Sequence, residues 1–161
     1  MTKQMEQELE LVEEVTNTLG KQVTDIKISR PRRLFICIEK EGLEKAVQGL
    51  FTLGFSQLST ITGVDTGQGI EVIYHLNRDG KILLSVKVCV DKEHSSIPTI
   101  TTFIPGATLY EREIHDLFGV TFTGHQDLSP LILPEDWPKD VFPLRKEWSI
   151  EAIQKNIEGE E

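Results

Sequence analysis

Apolar residues recur at helical spacing over residues 5–19, where Met5, Leu9, Val12, Thr16 and Leu19 form a stripe that Gly20 is placed to end. Two runs of strand character follow, Val23–Ser29 and Arg33–Glu39, separated by an Arg30–Pro31–Arg32 turn. Leu43, Ala46, Val47, Leu50 and Phe51 then share one helical face, with Gly54 as the stop. Phe55–Val64 reads as a third strand closed by a glycine-bearing turn at Asp65–Gly69. Glu71–Asn77 and Ile82–Asp91 form an expected antiparallel hairpin, because Asp79-Gly80 is a strong hairpin signal. In the second arm Leu84, Val86, Val88 and Val90 alternate with Ser85, Lys87, Cys89 and Asp91, a pattern suited to one buried and one wetter face. The order predicts an α+β fold, a mostly antiparallel sheet with helices packed on one face.

The character changes after residue 94. Six of the seven prolines lie beyond it, and between them one segment, Ala107–Phe118, is helix-compatible. A stretch of about 25 residues without regular structure is uncommon inside a compact domain. Its apolar residues, among them Phe122, Leu131, Trp137, Phe142 and Trp148, argue against plain disorder. The expected organisation is an α+β domain over residues 1–119 and an extended proline-rich arm over 120–161. The arm should be mobile alone and bury its apolar residues on a neighbour. Ser149–Ile157 ends it as a short amphipathic helix with Ser149 as cap.

Charge narrows the possible partners. The net charge is −9, and residues 1–20 and 147–161 each hold one lysine and five glutamates. The stretch between is nearly neutral and shows no basic patch, so nucleic acid and anionic membrane are not expected partners. No apolar run approaches the roughly 18 residues of a membrane span, and the start lacks the apolar core of a secretory signal. A cytoplasmic location is expected. The cysteines, Cys37 and Cys89, are far apart and each lies in an apolar run, so no CxxC cluster ligation is available. Nucleophile-elbow, phosphate-loop and dinucleotide-binding signatures are also missing from the sequence.

The densest chemistry is Tyr110-Glu111-Arg112-Glu113-Ile114-His115-Asp116-Leu117-Phe118-Gly119. Arg112 and Asp116 share a helix face, as do Glu111 and His115. One reading is a surface helix with intrahelical ion pairs. A second is an arginine fork among carboxylates that engages a partner's polar groups. A third joins Glu111, His115 and His125 into the metal site of an independent hydrolase, although an HExxH-type signature is absent.

These residues also carry a resemblance. The helix just quoted, the Val-Thr-Phe-Thr-Gly-His run ending at His125, the Leu131–Pro138 stretch and Pro143-Leu144-Arg145-Lys146 follow one another as in the thirty-kilodalton subunit of respiratory complex I. The family of that subunit includes counterparts in membrane-bound energy-converting hydrogenases. Gln126 stands where the family usually has proline, and Ser129 and Pro130 stand where it often has basic residues. The resemblance implies a cofactor-free subunit with no catalytic site of its own, in the peripheral arm of an NADH:quinone oxidoreductase-like complex. That arm would sit on the cytoplasmic side of the membrane. The implied neighbours are a large hydrogenase-like subunit and a cluster-bearing small subunit. The partner-facing set it implies comprises Tyr110, Glu111, Arg112, Glu113, Asp116, Phe118 and Gly119. Gly124, His125, Trp137, Pro143, Leu144, Arg145 and Lys146 complete it.

Overall fold

The computed structural model of the chain describes residues 3–159, with side chains from Glu6 onward. Helix α1 (Lys3–Leu19) leads into the hairpin β1 (Val23–Arg30) and β2 (Arg33–Ile38), then α2 (Leu43–Thr52) and β3 (Gln57–Asp65). The second hairpin is β4 (Ile70–Arg78) and β5 (Ile82–Val90). A three-residue strand β6 (Ser96–Pro98), helix α3 (Thr108–Phe118), strand β7 (Thr121–Thr123) and α4 (Ile150–Glu158) complete the chain.

The main sheet runs β1-β2-β5-β4-β3, antiparallel except for the parallel pair β2 and β5 at its centre. Register places Leu34, Ile36, Ile38, Leu84, Val86, Val88, Val72, Tyr74 and Leu76 on one face, all buried. The helices cover that face, and Ser85, Lys87, Cys89 and His75 line the opposite, wetter one. On the wet face Lys87 pairs with Glu71 at 3.0 Å, and the His75 ring nitrogens meet Ser85 and Thr62 hydroxyls at 2.8 and 3.1 Å. The two cysteines are free thiols on this face, and burial pushes both up in pKa.

Two details differ from the sequence pattern. The stripe of α1 that packs inward is Leu11, Val15 and Leu19. Leu9 and Thr16 are exposed instead, and the Met5 side chain lies outside the described residues. Leu11, Val15 and Leu19 recur every four residues, whereas the expected stripe is anchored on Leu9, one apolar residue off the true seam. The second difference is β7, which pairs in parallel with β6 inside a stretch that carries no period of its own. A three-residue strand has no room to show alternation, and its partner lies across α3.

Helix α3 sits against the sheet at β3, and a glycine makes this approach possible. A Cβ at Gly63 would lie 2.5 Å from the Phe118 ring and 3.1 Å from the Ile114 methyl. Gly63→Ala should therefore cost about 1–3 kcal/mol of stability through overpacking. Gly106, where a Cβ meets nothing within 4 Å, is the control and should tolerate alanine. Urea unfolding of both variants checks this: equal midpoints for the two would show that α3 does not rest on Gly63.

Candidate functional site

Helix α3 is an ordinary amphipathic helix in its apolar residues, with Ile114 and Phe118 inward, and Gly119 at φ 70° ends it. Its polar residues are unusual, because Glu111 and Asp116 are buried as well. Glu111 is fully enclosed. Its carboxylate accepts the Thr99 hydroxyl at 2.5 Å and the Ile100 amide at 2.9 Å, while Thr99 also meets the Thr101 hydroxyl at 2.8 Å. No cation pairs with it among the described residues. Burial raises its pKa from an ordinary 4.5 to about 7, against the two hydrogen bonds, which pull it down. Tyr74 is buried in the same interior, and its phenol is pushed well above its ordinary range by burial and then by Glu111.

Asp116 faces the arm. One carboxylate oxygen accepts the consecutive amides of Leu131, Ile132 and Leu133 at 2.8, 2.8 and 3.3 Å. One turn earlier, the Arg112 guanidinium donates to the Ser129 carbonyl, the Ser129 hydroxyl and the Pro130 carbonyl at 3.0, 3.1 and 2.9 Å. Carboxylate to amides and guanidinium to carbonyls is the polarity each group requires. The fork therefore grips the backbone of its own chain, and Arg112 makes none of the ion pairs found among the described residues.

The Pro143–Lys146 stretch is tied down in the same way. The Leu144 amide donates to the Leu117 carbonyl at 3.1 Å, and Arg145 donates through Nε to the Phe118 carbonyl at 2.7 Å. The Arg145 guanidinium also stacks on Phe142, 4.5 Å from the ring centre. Phe142 in turn fills the space over Gly119, where a Cβ would clash at 2.5 Å. The Lys146 amide reaches Asp65 at 2.7 Å, and Lys92 bridges Asp65 and Glu147 at 2.7 and 2.6 Å. Burial alone would raise Asp65, but Lys92 and the amides of Lys146 and Gly67 outweigh it and hold the carboxyl at about 2.

The remaining sequence-derived residues fall as follows. The Tyr110 hydroxyl reaches the Ser59 carbonyl at 3.3 Å, Glu113 is exposed, and Phe118 is buried. Gly124 turns the chain at φ 88° so that the His125 ring meets the Thr108 carbonyl at 3.3 Å and the Asp127 amide at 3.1 Å. Trp137 is half-buried and donates to the Val141 carbonyl at 2.8 Å. The Glu111, His115 and His125 triad is not assembled: His115 Nδ1 lies 2.9 Å from the Val120 carbonyl, and each group has separate partners. Among the described residues no group of three or more histidine, cysteine or acidic side chains is arranged to hold a metal ion. Sequence reasoning missed Asp65, Lys92, Thr99 and Ser129. Asp65 reads as a turn residue, which it also is, accepting the Gly67 amide at 2.6 Å.

Two outcomes test this geometry. Glu111 has a folded pKa raised above its unfolded value, so its protonation favours folding below about pH 4.5 and that contribution is lost as pH rises toward 7. Wild-type thermal stability should fall across that window, and Glu111→Gln, which keeps an acceptor for Ile100 and a donor for Thr99, should remove this slope. An unchanged slope in the variant would assign it elsewhere. Asp65→Ala should cost about 1–3 kcal/mol by leaving the Lys146 amide without its acceptor. It should also speed tryptic cleavage after Arg145 and Lys146; cleavage at the parental rate would mean that the arm is held without Asp65.

Comparison with known proteins gives these features a family context. Residues 36–154 match the family model described as respiratory-chain NADH dehydrogenase, 30 Kd subunit. The chain is 40% identical over 99 residues to the C subunit of the NADH-quinone oxidoreductase of Roseiflexus sp. (strain RS-1), covering 59% of this chain and 56% of that one. It is 28% identical over 142 residues to the C subunit of the F(420)H(2) dehydrogenase of Methanosarcina mazei, covering 86% and 89%. A chain of the membrane-bound sulfane sulfur reductase, an archaeal respiratory membrane complex, superposes with a TM-score of 0.82 at 27% identity, covering 92% of this chain and 89% of that one. The chain thus spans little more than half the length of the Roseiflexus relative and nearly all of the archaeal ones. With that match running from residue 36 through α3 and the arm to residue 154, the chain belongs to the family of the respiratory-chain NADH dehydrogenase 30 kDa subunit.

Proposed function

We propose that this chain is a cofactor-free docking subunit in the peripheral arm of a membrane-associated electron-transfer complex of NADH:quinone oxidoreductase or energy-converting hydrogenase type. On this reading it lies on the cytoplasmic side, against a large hydrogenase-like subunit and a cluster-bearing small subunit, and supplies shape in place of an active site. No helix among the described residues is long and apolar enough to cross a membrane. On this reading its attachment to the membrane runs through those neighbours.

The observation that carries the reading is where the large exposed apolar side chains lie. Apart from Leu9 and Val64, they are Leu109, Leu131, Ile132, Leu144, Ile150 and Ile157, all in α3, the arm or α4, and Ile150 is 72% exposed. The amides of Leu131 and Ile132 are satisfied within the chain, so both side chains project from an anchored loop. Helix α4 has nine residues and no buried ones. An isolated helix of that length is marginal in water. A capped helix whose apolar residues are at most half-buried, with Ile150 and Ile157 exposed, is on this reading the half of an interface that this chain contributes.

Ile132→Asp and Ile150→Asp separate assembly from folding. Both positions are exposed, and an acid at Ile150 stands at a helix N-terminus, where negative charge is tolerated. Each variant should keep the isolated chain's stability within about 0.5 kcal/mol. Recovery of the chain with the purified complex should drop about tenfold or more. Recovery at parental levels for both variants would remove the arm and α4 from the interface.

A further inference from the structure

The stretch between the acidic ends is nearly neutral in sequence, yet the fold sorts its charges. Strands β2 and β5 are parallel neighbours, so the β1–β2 turn and the β4–β5 turn lie side by side at one end of the sheet. The Leu83 amide donates to the Arg32 carbonyl across them at 3.0 Å. Arg30, Arg32, Arg33 and Lys81 thereby gather at one end, and their side chains make no hydrogen bond or ion pair among the described residues. Arg78, beside them, is engaged by Glu14 and stacked on Phe55. Asp79 is the acid within this pair of turns, and Glu8 of α1 reaches them from outside, lining the hollow there and accepting the Arg32 amide at 2.9 Å. The charge of Arg33 is felt nearby, since it adds to burial in lowering the pKa of His75.

Two hollows open among these cations. One, of about 460 Å³, runs between α1 and the turns and is floored by Leu11, Leu34 and Ile82. The other, of about 340 Å³, lies over the turns themselves. Arg32, Lys81 and Ile82 border both, so these three residues form the wall that the two hollows share. Asp65 and Lys92, which hold the arm, are at the opposite ends of the strands. Strands β4 and β5, nine residues each, place the two ends about 30 Å apart.

We propose that this end of the sheet is a docking site for a short carboxylate-rich segment of another polypeptide, which seats an apolar side chain against Ile82 and lays its carboxylates on Arg32, Arg33 and Lys81. Charge complementarity selects the occupant. Guanidinium forks match carboxylates in two-point geometry, and an apolar floor beside them asks for a side chain that inorganic anions lack. A flat anionic bilayer is disfavoured because Glu6, Glu8, Glu10, Glu13 and Glu14 of the adjoining α1 would meet it at the same time. Of these acids only Glu8 lines the hollows, so a narrow segment meets one carboxylate of that helix where a bilayer would meet several. This site stands whether or not the arm and α4 form an interface.

The test uses the full chain and a fluorescein-labelled peptide, Glu-Asp-Leu-Glu-Asp, followed by anisotropy at about 50 mM salt, where surface charge is weakly screened. Saturable binding is expected. It should weaken about tenfold in the Arg33→Gln/Lys81→Gln double variant, in line with the loss of two charge-assisted contacts. Asp79→Asn should strengthen it about two- to threefold by removing a competing carboxylate at φ 54°, a conformation that asparagine accepts. Replacing the peptide's leucine with serine should weaken it several-fold. Absence of saturable binding, equal binding by all three proteins, or indifference to the leucine would overturn the proposal. So would preferential capture of phosphatidylserine-containing vesicles, which would make this a membrane-facing patch.

Discussion

A carboxylate buried away from water must be given hydrogen-bond donors or keep its proton. Helix α3 buries two. Asp116 meets the demand with three consecutive amides of the arm, and Glu111 with a hydroxyl and an amide from the loop before the helix. The consequence is structural as much as electrostatic. Each carboxylate fixes a loop that has no regular hydrogen-bond ladder: Thr99–Thr101 on one side of the helix and Leu131–Leu133 on the other. Gly63 lets that helix sit close to the sheet, so the positions of both loops are transmitted from the core. The C-terminal third is irregular in its dihedral angles yet determined in its place.

This changes the thermodynamics of association. A segment that orders only on binding gives up conformational entropy at that moment and loses affinity per unit of contact area. Here the backbone from Ser129 to Leu133 and from Leu144 to Lys146 is already held, by Arg112, Asp116, the Leu117 and Phe118 carbonyls and Asp65. A neighbour meeting Leu131 and Ile132 gains apolar burial with little ordering left to do. Helix α4 differs. Ser149 caps it and Gly159 ends it at φ 65°, but none of its residues is fully buried, and Ile150 and Ile157 are exposed. On the proposed reading, the two parts of the arm divide between preformed contact and contact completed by the neighbour.

What the sequence makes legible follows from the range of each interaction. The strands, both hairpins, α2 and α3 are written in local alternation, in Asp-Gly and in glycine stops, and these elements lie within a residue or two of the expected bounds. The phase of α1 is not legible, since a helix with scattered apolar residues offers two stripes and only packing chooses between them. The charged helix stands out as the chemical centre. Its partners do not, because Ser129, Pro130 and Leu131–Leu133 are recognised largely through their backbone, and backbone carbonyls and amides are the same for nearly every residue type. The parallel pairing of β6 with β7 is hidden for a related reason: three residues carry too little pattern. A single Asp65 looks like a turn residue because it serves as one; its second role depends on a lysine and an amide brought from far along the chain.

The same long-range dependence governs charge. Composition by segment places the acidity at the two ends and leaves the middle near neutrality, but neutrality of a segment says nothing about the surface it makes. Lys92, Arg145, Asp65 and Glu147 interlock at one end of the strands, two cations against two carboxylates where the arm is fastened. At the other end, parallel pairing of β2 with β5 sets two arginine- and lysine-bearing turns together with few acids between them. Cancelled charge fastens the chain to itself, because each ion pair there is satisfied and holds whatever the neighbours do. The cations of the two turns are answered from within the chain by Glu8 and Asp79, and the mutual repulsion left over is what an outside anion would relieve. One sheet thus has a closed end and an open end, and the parallel pair at its centre is what makes them different.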